Sequence, residues 1–269
     1  MQIVILATTD DIETFTGDYI LNRIEAGHLR VLGVATGSSP LPVYRGLAKR
    51  WTPKVGALTA FALDEYVGLD YSHPESYHAV VDREVTQPLR LDPMRVHVPD
   101  GNAPDLDAAA ADYESLIAQS GGVDLQILGI GTTGHIGFNE PTSSLNSRTR
   151  VKTLALQTRA DNARFFDAPE LVPSLCLTQG LGTILDAAEI LMVAQGESKA
   201  HAIAQAVEGP LTAMCPASVL QLHPRATIVL DEAAASELLH SDYYRYVFAQ
   251  QRGITHPGLI DPGRSATAN

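Results

Sequence analysis

The chain has 269 residues, 45% of them hydrophobic and 19% charged, the make-up of a globular protein with a sizeable core. Its 31 acidic against 19 basic residues give a formal net charge of −12, which argues against nucleic acid as a partner, because backbone phosphates need clustered Lys and Arg. No run of about 18 uninterrupted apolar residues appears, so no membrane-spanning helix is expected.

The N-terminal MQIVILATTDD lacks the basic flank and small-residue cleavage site of a signal peptide and reads as a first strand, Ile3–Leu6. Helical period follows over Ile12–Ile24. A second strand, Val31–Ala35, runs into Thr36-Gly37-Ser38-Ser39-Pro40 and then into the helical pattern Val43–Lys49. Small residues there let the backbone approach an anion, and N–H groups at a helix start favour a phosphate. A plain turn with Ser39 capping and Pro40 in the first turn explains the same residues. The segment matches neither the Walker pattern nor the dinucleotide glycine fingerprint, so a nucleotide is not indicated. One or two local cations would still admit a small phosphorylated metabolite to an acidic protein.

The strand Leu58–Leu63 ends at Asp64-Glu65-Tyr66. A carboxylate at a strand exit can serve as a general base, whereas one inside the strand would be costly to bury; taken alone, the segment favours a solvated loop carboxylate. Past Val96–Val98 and a helical Leu106–Ile117, the strand Leu125–Ile130 enters the stretch Gly129–Glu140, GIGTTGHIGFNE. Glycines permit tight backbone there, His135 suits proton transfer near neutral pH, and Glu140 would orient it if the loop folds back. From these residues alone a catalytic loop and a structural turn stand level. Further strands are expected at Lys152–Leu156, Ile190–Ala194 and Thr227–Leu230, with helical period over Lys199–Val207. Arg164 and Lys199 each fall early in an expected helix, where a cation opposes the helix dipole unless an anion is bound. Cys176 and Cys215 are isolated, without metal-ligand spacing, and read as reduced thiols of a reducing, cytoplasmic compartment.

Strands alternating with helices imply an α/β fold, an open and mostly parallel sheet with helices on both faces in a Rossmann-like three-layer arrangement. No linker or repeat divides residues 1–269, so one domain is expected, with a frayed tail over about 256–269. Ligands of such sheets bind beyond the carboxyl ends of the strands, where TGSSP, DEY and GTTGH stand.

Several segments, in register between Leu32 and Pro224, carry a family resemblance: LGVATGSSPLPVYRGL, FALDEYVGL with SYHAVV, LGIGTTGHIGFNEPTSSLNSRTRVKTL, RFF, CLTQGLGTILDA and GESKAHAIAQAVEGPLTAMCPASVLQLHP. The chain resembles the glucosamine-6-phosphate isomerase family of deaminases. That resemblance implies conversion of glucosamine 6-phosphate and water to fructose 6-phosphate and ammonia, without metal or organic cofactor. By resemblance Asp64 moves the proton between C2 and C1, His135 opens the pyranose ring, and Glu140 orients the histidine. Thr36, Gly37, Ser38, Ser39, Arg164 and Lys199 match the phosphate-holding positions. Thr133 stands where many members carry an Asp, so a neutral hydroxyl replaces a charge, more of the orienting role falls to Glu140, and the pH profile of ring opening should shift. In regulated members, N-acetylglucosamine 6-phosphate activates a hexamer at a subunit interface. Ser143, Arg150, Lys152 and Thr153 match that site, though a basic edge strand explains them equally; a homo-oligomer is expected. Alternatives are the galactosamine-6-phosphate epimer as substrate and a non-catalytic sugar-phosphate sensor. A 6-phosphogluconolactonase would not be expected to carry IGFNE after the histidine or DEYVG at 64–68.

Overall fold

Ile3 and Ile5 point into one apolar cluster and Val4, between them, into another. The same alternation separates Leu128 from Ile127 and Met192 from Val193, so the central strands are covered on both faces. The computed structural model describes residues 1–166, 168 and 172–255. Its strands are β1 (Gln2–Leu6), β2 (Val31–Val34), β3 (Thr59–Ala62), β4 (Asp64–Tyr66), β5 (Val96–His97), β6 (Leu125–Leu128), β7 (Arg150–Thr153), β8 (Leu175–Thr178), β9 (Glu189–Ala194) and β10 (Ala226–Asp231). The helices are α1 (Thr9–Glu25), α2 (Leu41–Ala48), α3 (Pro53–Gly56), α4 (Tyr77–Val81), α5 (Gln87–Leu89), α6 (Leu106–Gln119), α7 (Leu156–Asn162), α8 (Leu181–Leu185), α9 (Ala200–Val207) and α10 (Ser241–Thr255).

A seven-stranded parallel sheet runs in the order β1-β10-β9-β6-β2-β3-β5. Residues of α1 and α2 cover one face, and residues of α6, α8 and α9 the other. Local chemistry starts these helices where they start. Thr8 and Asp11 form a reciprocal capping box on α1, and the Asp105 side chain accepts from the N–H groups of Asp107 and Ala108 on α6. The chain leaves β2 toward β3 in one direction and leaves β6 toward β9 in the other. The crevice beyond the carboxyl ends of β2 and β6 is therefore the topological switch point of the sheet, where ligands of such folds bind.

Above that crevice lies a feature the periodicity did not announce: a three-stranded antiparallel sheet, β4-β8-β7. Asp64-Glu65-Tyr66, expected as a loop, is β4, paired with β8 so that Asp64 stands opposite Thr178. The strand expected at Lys152–Leu156 instead occupies Arg150–Thr153, and Leu156 opens α7. Leu175–Thr178 was not expected as a strand; it is short, and three of its four residues are buried. The expected frayed tail lies outside the described residues. Among the described residues no helix is long and apolar enough to cross a membrane.

Candidate active site

The switch point holds a cavity of about 320 Å³. Its walls come from the loop after β2 (Thr36 to Ser39), the loop after β6 (Gly129 to Thr132 and His135), Asp64 of β4, Tyr77 of α4, and Thr158, Asn162 and Arg164 in and after α7, with Lys199 before α9. The three strand exits singled out in the sequence thus open onto one space. Asp64 and Tyr66 of β4 and Thr158 and Asn162 of α7 reach it from distant parts of the sequence, which is why no local window displays the site.

The loop after β6 folds back on itself, as the expectation for Glu140 required. The Thr133 hydroxyl donates to Glu140 Oε2 at 3.2 Å, and its oxygen lies 2.9 Å from His135 Nδ1. His135 Nδ1 and Glu140 Oε2 are themselves 3.4 Å apart. A hydroxyl has one proton. Donating it to Glu140 leaves the Thr133 oxygen to accept Nδ1–H, whereas donating it to Nδ1 would set two acceptors against each other. The arrangement therefore selects the Nδ1–H tautomer and leaves Nε2 as the bare nitrogen of a ring that lines the cavity. Thr158 of α7 donates to the other carboxylate oxygen, Oε1. Burial pushes the Glu140 carboxyl up, but hydrogen bonds from His135, Thr158 and Thr133 outweigh it and hold it below the ordinary carboxylate range. Gly131 makes room for the ring: a Cβ there would lie 2.0 Å from His135 Cε1. Its backbone is not left-handed, so this glycine serves close approach rather than an unusual φ.

Asp64 is 5% exposed. Burial, reinforced by the neighbouring Glu65 carboxylate, pushes its carboxyl up to about 8, while hydrogen bonds from the Phe138 N–H and the Thr178 hydroxyl pull the other way. A carboxyl so placed exchanges protons near neutral pH, which is what a base for a carbon acid needs. The expectation that burial inside a strand would count against Asp64 as a base is thus corrected: pairing in β4 is what brings its proton affinity into range. Glu65 points away from the cavity and serves the scaffold. Its Oε1 accepts the N–H groups of Tyr66 at 2.7 Å and Tyr77 at 2.9 Å, and its Oε2 the His78 N–H at 2.9 Å. It thereby anchors the start of α4, whose Tyr77 ring stacks on Phe138 at 5.7 Å and walls the cavity.

The cavity is also lined by Thr36, Gly37, Ser38 and Ser39 with Arg164 and Lys199. Gly37 has φ +92°, a turn that a side chain would strain. The N-cap of α2 is Pro40 and no side chain caps it, so the Ser39 hydroxyl is not spent on the helix as a plain turn would have it. Arg164 does not begin a helix: it lies in the 3-10 turn Ala163–Phe165 at the end of α7, where the dipole favours a cation. Lys199 immediately precedes α9, closing the turn Glu197–Lys199. Arg150 and Lys152 share one face of β7, Thr153 is exposed at its end, and Ser143 is buried in the preceding loop with its hydroxyl unpartnered. Those four do not line the cavity. Among the described residues no cluster of three or more His, Cys, Asp or Glu side chains is placed to hold a metal ion. Thr158 and Thr178, which touch the two carboxylates, escaped sequence reasoning. Thr178 sits in the quoted CLTQGLG segment, but only the register of β4 against β8 gives it a role.

Comparison with known proteins shows the family. A family model described as glucosamine-6-phosphate isomerases/6-phosphogluconolactonase matches residues 8–229. The chain is 53% identical to a glucosamine-6-phosphate deaminase of Cutibacterium acnes over 258 residues, 95% of this chain and 99% of that one. It is 58% identical to a glucosamine-6-phosphate deaminase of Streptomyces coelicolor over 227 residues, 82% of this chain and 86% of that one. Among solved structures it is similar to a monomeric glucosamine-6-phosphate deaminase, with a TM-score of 0.84 and 39% identity over 88% of this chain and all of the other. A 6-phosphogluconolactonase from Trypanosoma cruzi, at 19% identity and a TM-score of 0.69, shares the fold.

Proposed function

We propose that this chain, which belongs to the glucosamine-6-phosphate isomerase/6-phosphogluconolactonase family, is a deaminase that converts glucosamine 6-phosphate and water to fructose 6-phosphate and ammonia. The observation that carries the reading is one cavity lined by both a buried carboxyl poised near neutral pH and a histidine backed by a hydroxyl–carboxylate relay. Lactone hydrolysis needs no base for a carbon acid; aldose-to-ketose isomerisation does.

In this mechanism the phosphate is held by the loop Thr36 to Ser39 with Arg164 and Lys199, which fixes the sugar and converts binding into orientation. His135 Nε2 takes the proton of the anomeric hydroxyl and returns it to the ring oxygen, opening the pyranose. The transient imidazolium shares its Nδ1–H with Thr133 and Glu140. Asp64 then takes the C2 proton while the substrate's C2 ammonium gives a proton to O1, which forms the cis-enolamine. Asp64 returns its proton to C1, leaving an iminium at C2; water adds there, and the carbinolamine expels ammonia to leave the C2 ketone.

The two free buried thiols, Cys176 and Cys215, fit a reducing compartment, and we place the enzyme in the cytoplasm. We also assign Ser143, Arg150, Lys152 and Thr153 to a regulatory site for N-acetylglucosamine 6-phosphate in a homo-oligomer, on the strength of the resemblance and of Arg150 and Lys152 sharing one face of β7.

Ammonia release by the purified chain from glucosamine 6-phosphate and galactosamine 6-phosphate, with N-acetylglucosamine 6-phosphate as additive, tests the main reading, and acid release from 6-phosphogluconolactone tests the lactonase alternative. Turnover of the first is expected to dominate. Ammonia from neither amino sugar would leave a binding protein, and a preference for the galacto epimer would reassign the substrate.

A further inference from the structure

Helix α7 makes two contacts that tie together parts of the site otherwise contributed by different elements. Thr158 and Asn162 are one turn apart and share a face. Thr158 donates to Glu140 Oε1, and Asn162 Nδ2 donates to the Tyr66 hydroxyl at 2.9 Å. Two residues beyond Asn162 comes Arg164, and all three line the cavity. Thr158 is 3% exposed and the Glu140 side chain 7%, so the bond between them is shielded from water.

The terminal torsion of a glutamate is broad and roughly two-fold, so one hydrogen bond does not fix the plane of its carboxylate. Two bonds, one on each oxygen, do. Thr133 holds Oε2 from the loop of β6, and Thr158 holds Oε1 from α7. Remove the second and the carboxylate can turn, lengthening contacts of 3.2 Å to Thr133 and 3.4 Å to His135 Nδ1 that have little to spare.

We propose that Thr158 is a positioning residue for the ring-opening relay, and that through it the helix leading to Arg164 couples occupation of the phosphate positions to the orientation of Glu140 and His135. This deepens the deaminase reading and rests on it wherever turnover is measured. An anion drawn to Arg164 sets the 3-10 turn that closes α7, and Thr158 in the first turn of that helix sets the carboxylate behind the histidine. The substrate's phosphate then contributes to kcat as well as to binding, as remote groups do when their binding energy organises the reacting centre.

Thr158→Val keeps the shape and deletes the hydroxyl; Thr158→Ser keeps the hydroxyl. For glucosamine 6-phosphate, kcat of Thr158→Val is expected to fall roughly tenfold to a hundredfold, up to the lower limit of what acid–base catalysis contributes, because the histidine itself stays in place. KM should stay within about threefold, because no phosphate contact is removed, and Thr158→Ser should regain most of the rate. A second readout does not depend on turnover: inorganic phosphate added to the free wild-type protein should move the imidazole ¹⁵N resonances of His135, and should not do so in Thr158→Val. The proposal is overturned by a Thr158→Val enzyme with wild-type kcat and pH profile, by Thr158→Ser as impaired as Thr158→Val, or by a phosphate-induced shift that survives the valine. Absence of ammonia release from the wild type would overturn the deaminase reading instead, and the ¹⁵N experiment would still decide the coupling.

Discussion

Exchanging Asp64 for Asn should abolish activity and stabilise the fold, with a pH dependence that reports the proton on Asp64. Its carboxyl is pushed up to about 8 from an ordinary 3.8. At about 1.4 kcal/mol per unit, folding disfavours the ionised form by roughly 5–6 kcal/mol. The sign follows from the raised value. Below 3.8 both folded and unfolded chains hold the proton, and the folded protonated state keeps its full advantage. As the pH rises toward 8 the unfolded chain ionises while the folded one does not, and above 8 the advantage is gone. Asn cannot ionise, so the gain of Asp64→Asn over wild type should grow between pH 4 and pH 8, by at most about 1.4 kcal/mol per unit, and then level off. The amide offsets part of this, because it sets a donor near the Phe138 N–H or the Thr178 hydroxyl, a loss of about 1–3 kcal/mol. A net gain of about 2–5 kcal/mol at pH 9 remains, or roughly 5–20 °C in Tm for a domain of this size. Urea and thermal unfolding at pH 5, 7 and 9, beside ammonia release, measure both halves. A stability difference that does not change with pH, or an Asn variant less stable than wild type at pH 9, would refute the reasoning about Asp64.

Other substitutions separate the parts of the cavity. Thr178→Val removes a hydrogen bond that favours ionised Asp64, so the acid limb of kcat/KM should move up by about one to two pH units, the equivalent of a bond to a charged group; an unmoved limb would remove Thr178 from the site. Gly131→Ala places a Cβ 2.0 Å from the His135 ring, and kcat should fall about a hundredfold or more with an unchanged circular dichroism spectrum; near-normal kcat would show that the ring does not work from this position. Arg164→Gln and Lys199→Gln should each raise KM roughly tenfold to a hundredfold through the lost charged contact, read from saturation curves, and Arg164→Gln should also lower kcat if α7 couples the phosphate positions to the relay. Thr133→Asp adds a carboxylate beside His135 and Glu140, and the limb of the kcat profile that reports ring opening should move to higher pH by about a unit; a profile identical to wild type would show that position 133 does not act on the histidine.

The layered fold is legible in the sequence because its central strands are continuous apolar runs such as LQIL and EILMVA, buried on both faces and separated by helices whose caps stand in plain sight. The switch point follows from that, since two of its loops leave adjacent strands carrying small residues and a histidine. The second sheet is not legible. Its strands are three or four residues long, and β7 has no buried residue to set a period of two. Misreading β4 as a loop hid both the burial that tunes Asp64 and the pairing that supplies Thr178. Thr158 was invisible for a different reason: nothing in LQTRADN distinguishes a hydroxyl that caps or faces solvent from one that reaches a carboxylate 18 positions earlier.

Why a threonine suffices at position 133 follows from the charges around it. Asp64 lines the cavity and Glu140 stands behind His135, which also lines it, and the Cys176 thiol is pushed up chiefly by burial and further by both Asp64 and Glu140. The two carboxylates therefore act on a common region. A third at position 133 would face Glu140 Oε2 across the 3.2 Å now spanned by a hydrogen bond. Two full charges about 4 Å apart repel by about 4 kcal/mol at the effective dielectric of a protein surface, enough for one to take up a proton whenever the histidine is neutral. The Thr133 hydroxyl passes the influence of Glu140 to the imidazole without adding charge, at the cost of leaving Glu140 as the one anion that steadies the imidazolium. A relay with a single anion depends on how firmly that anion is held. The second bond to its carboxylate, from a helix that lines the cavity just before Arg164, is the structural counterpart of the missing charge.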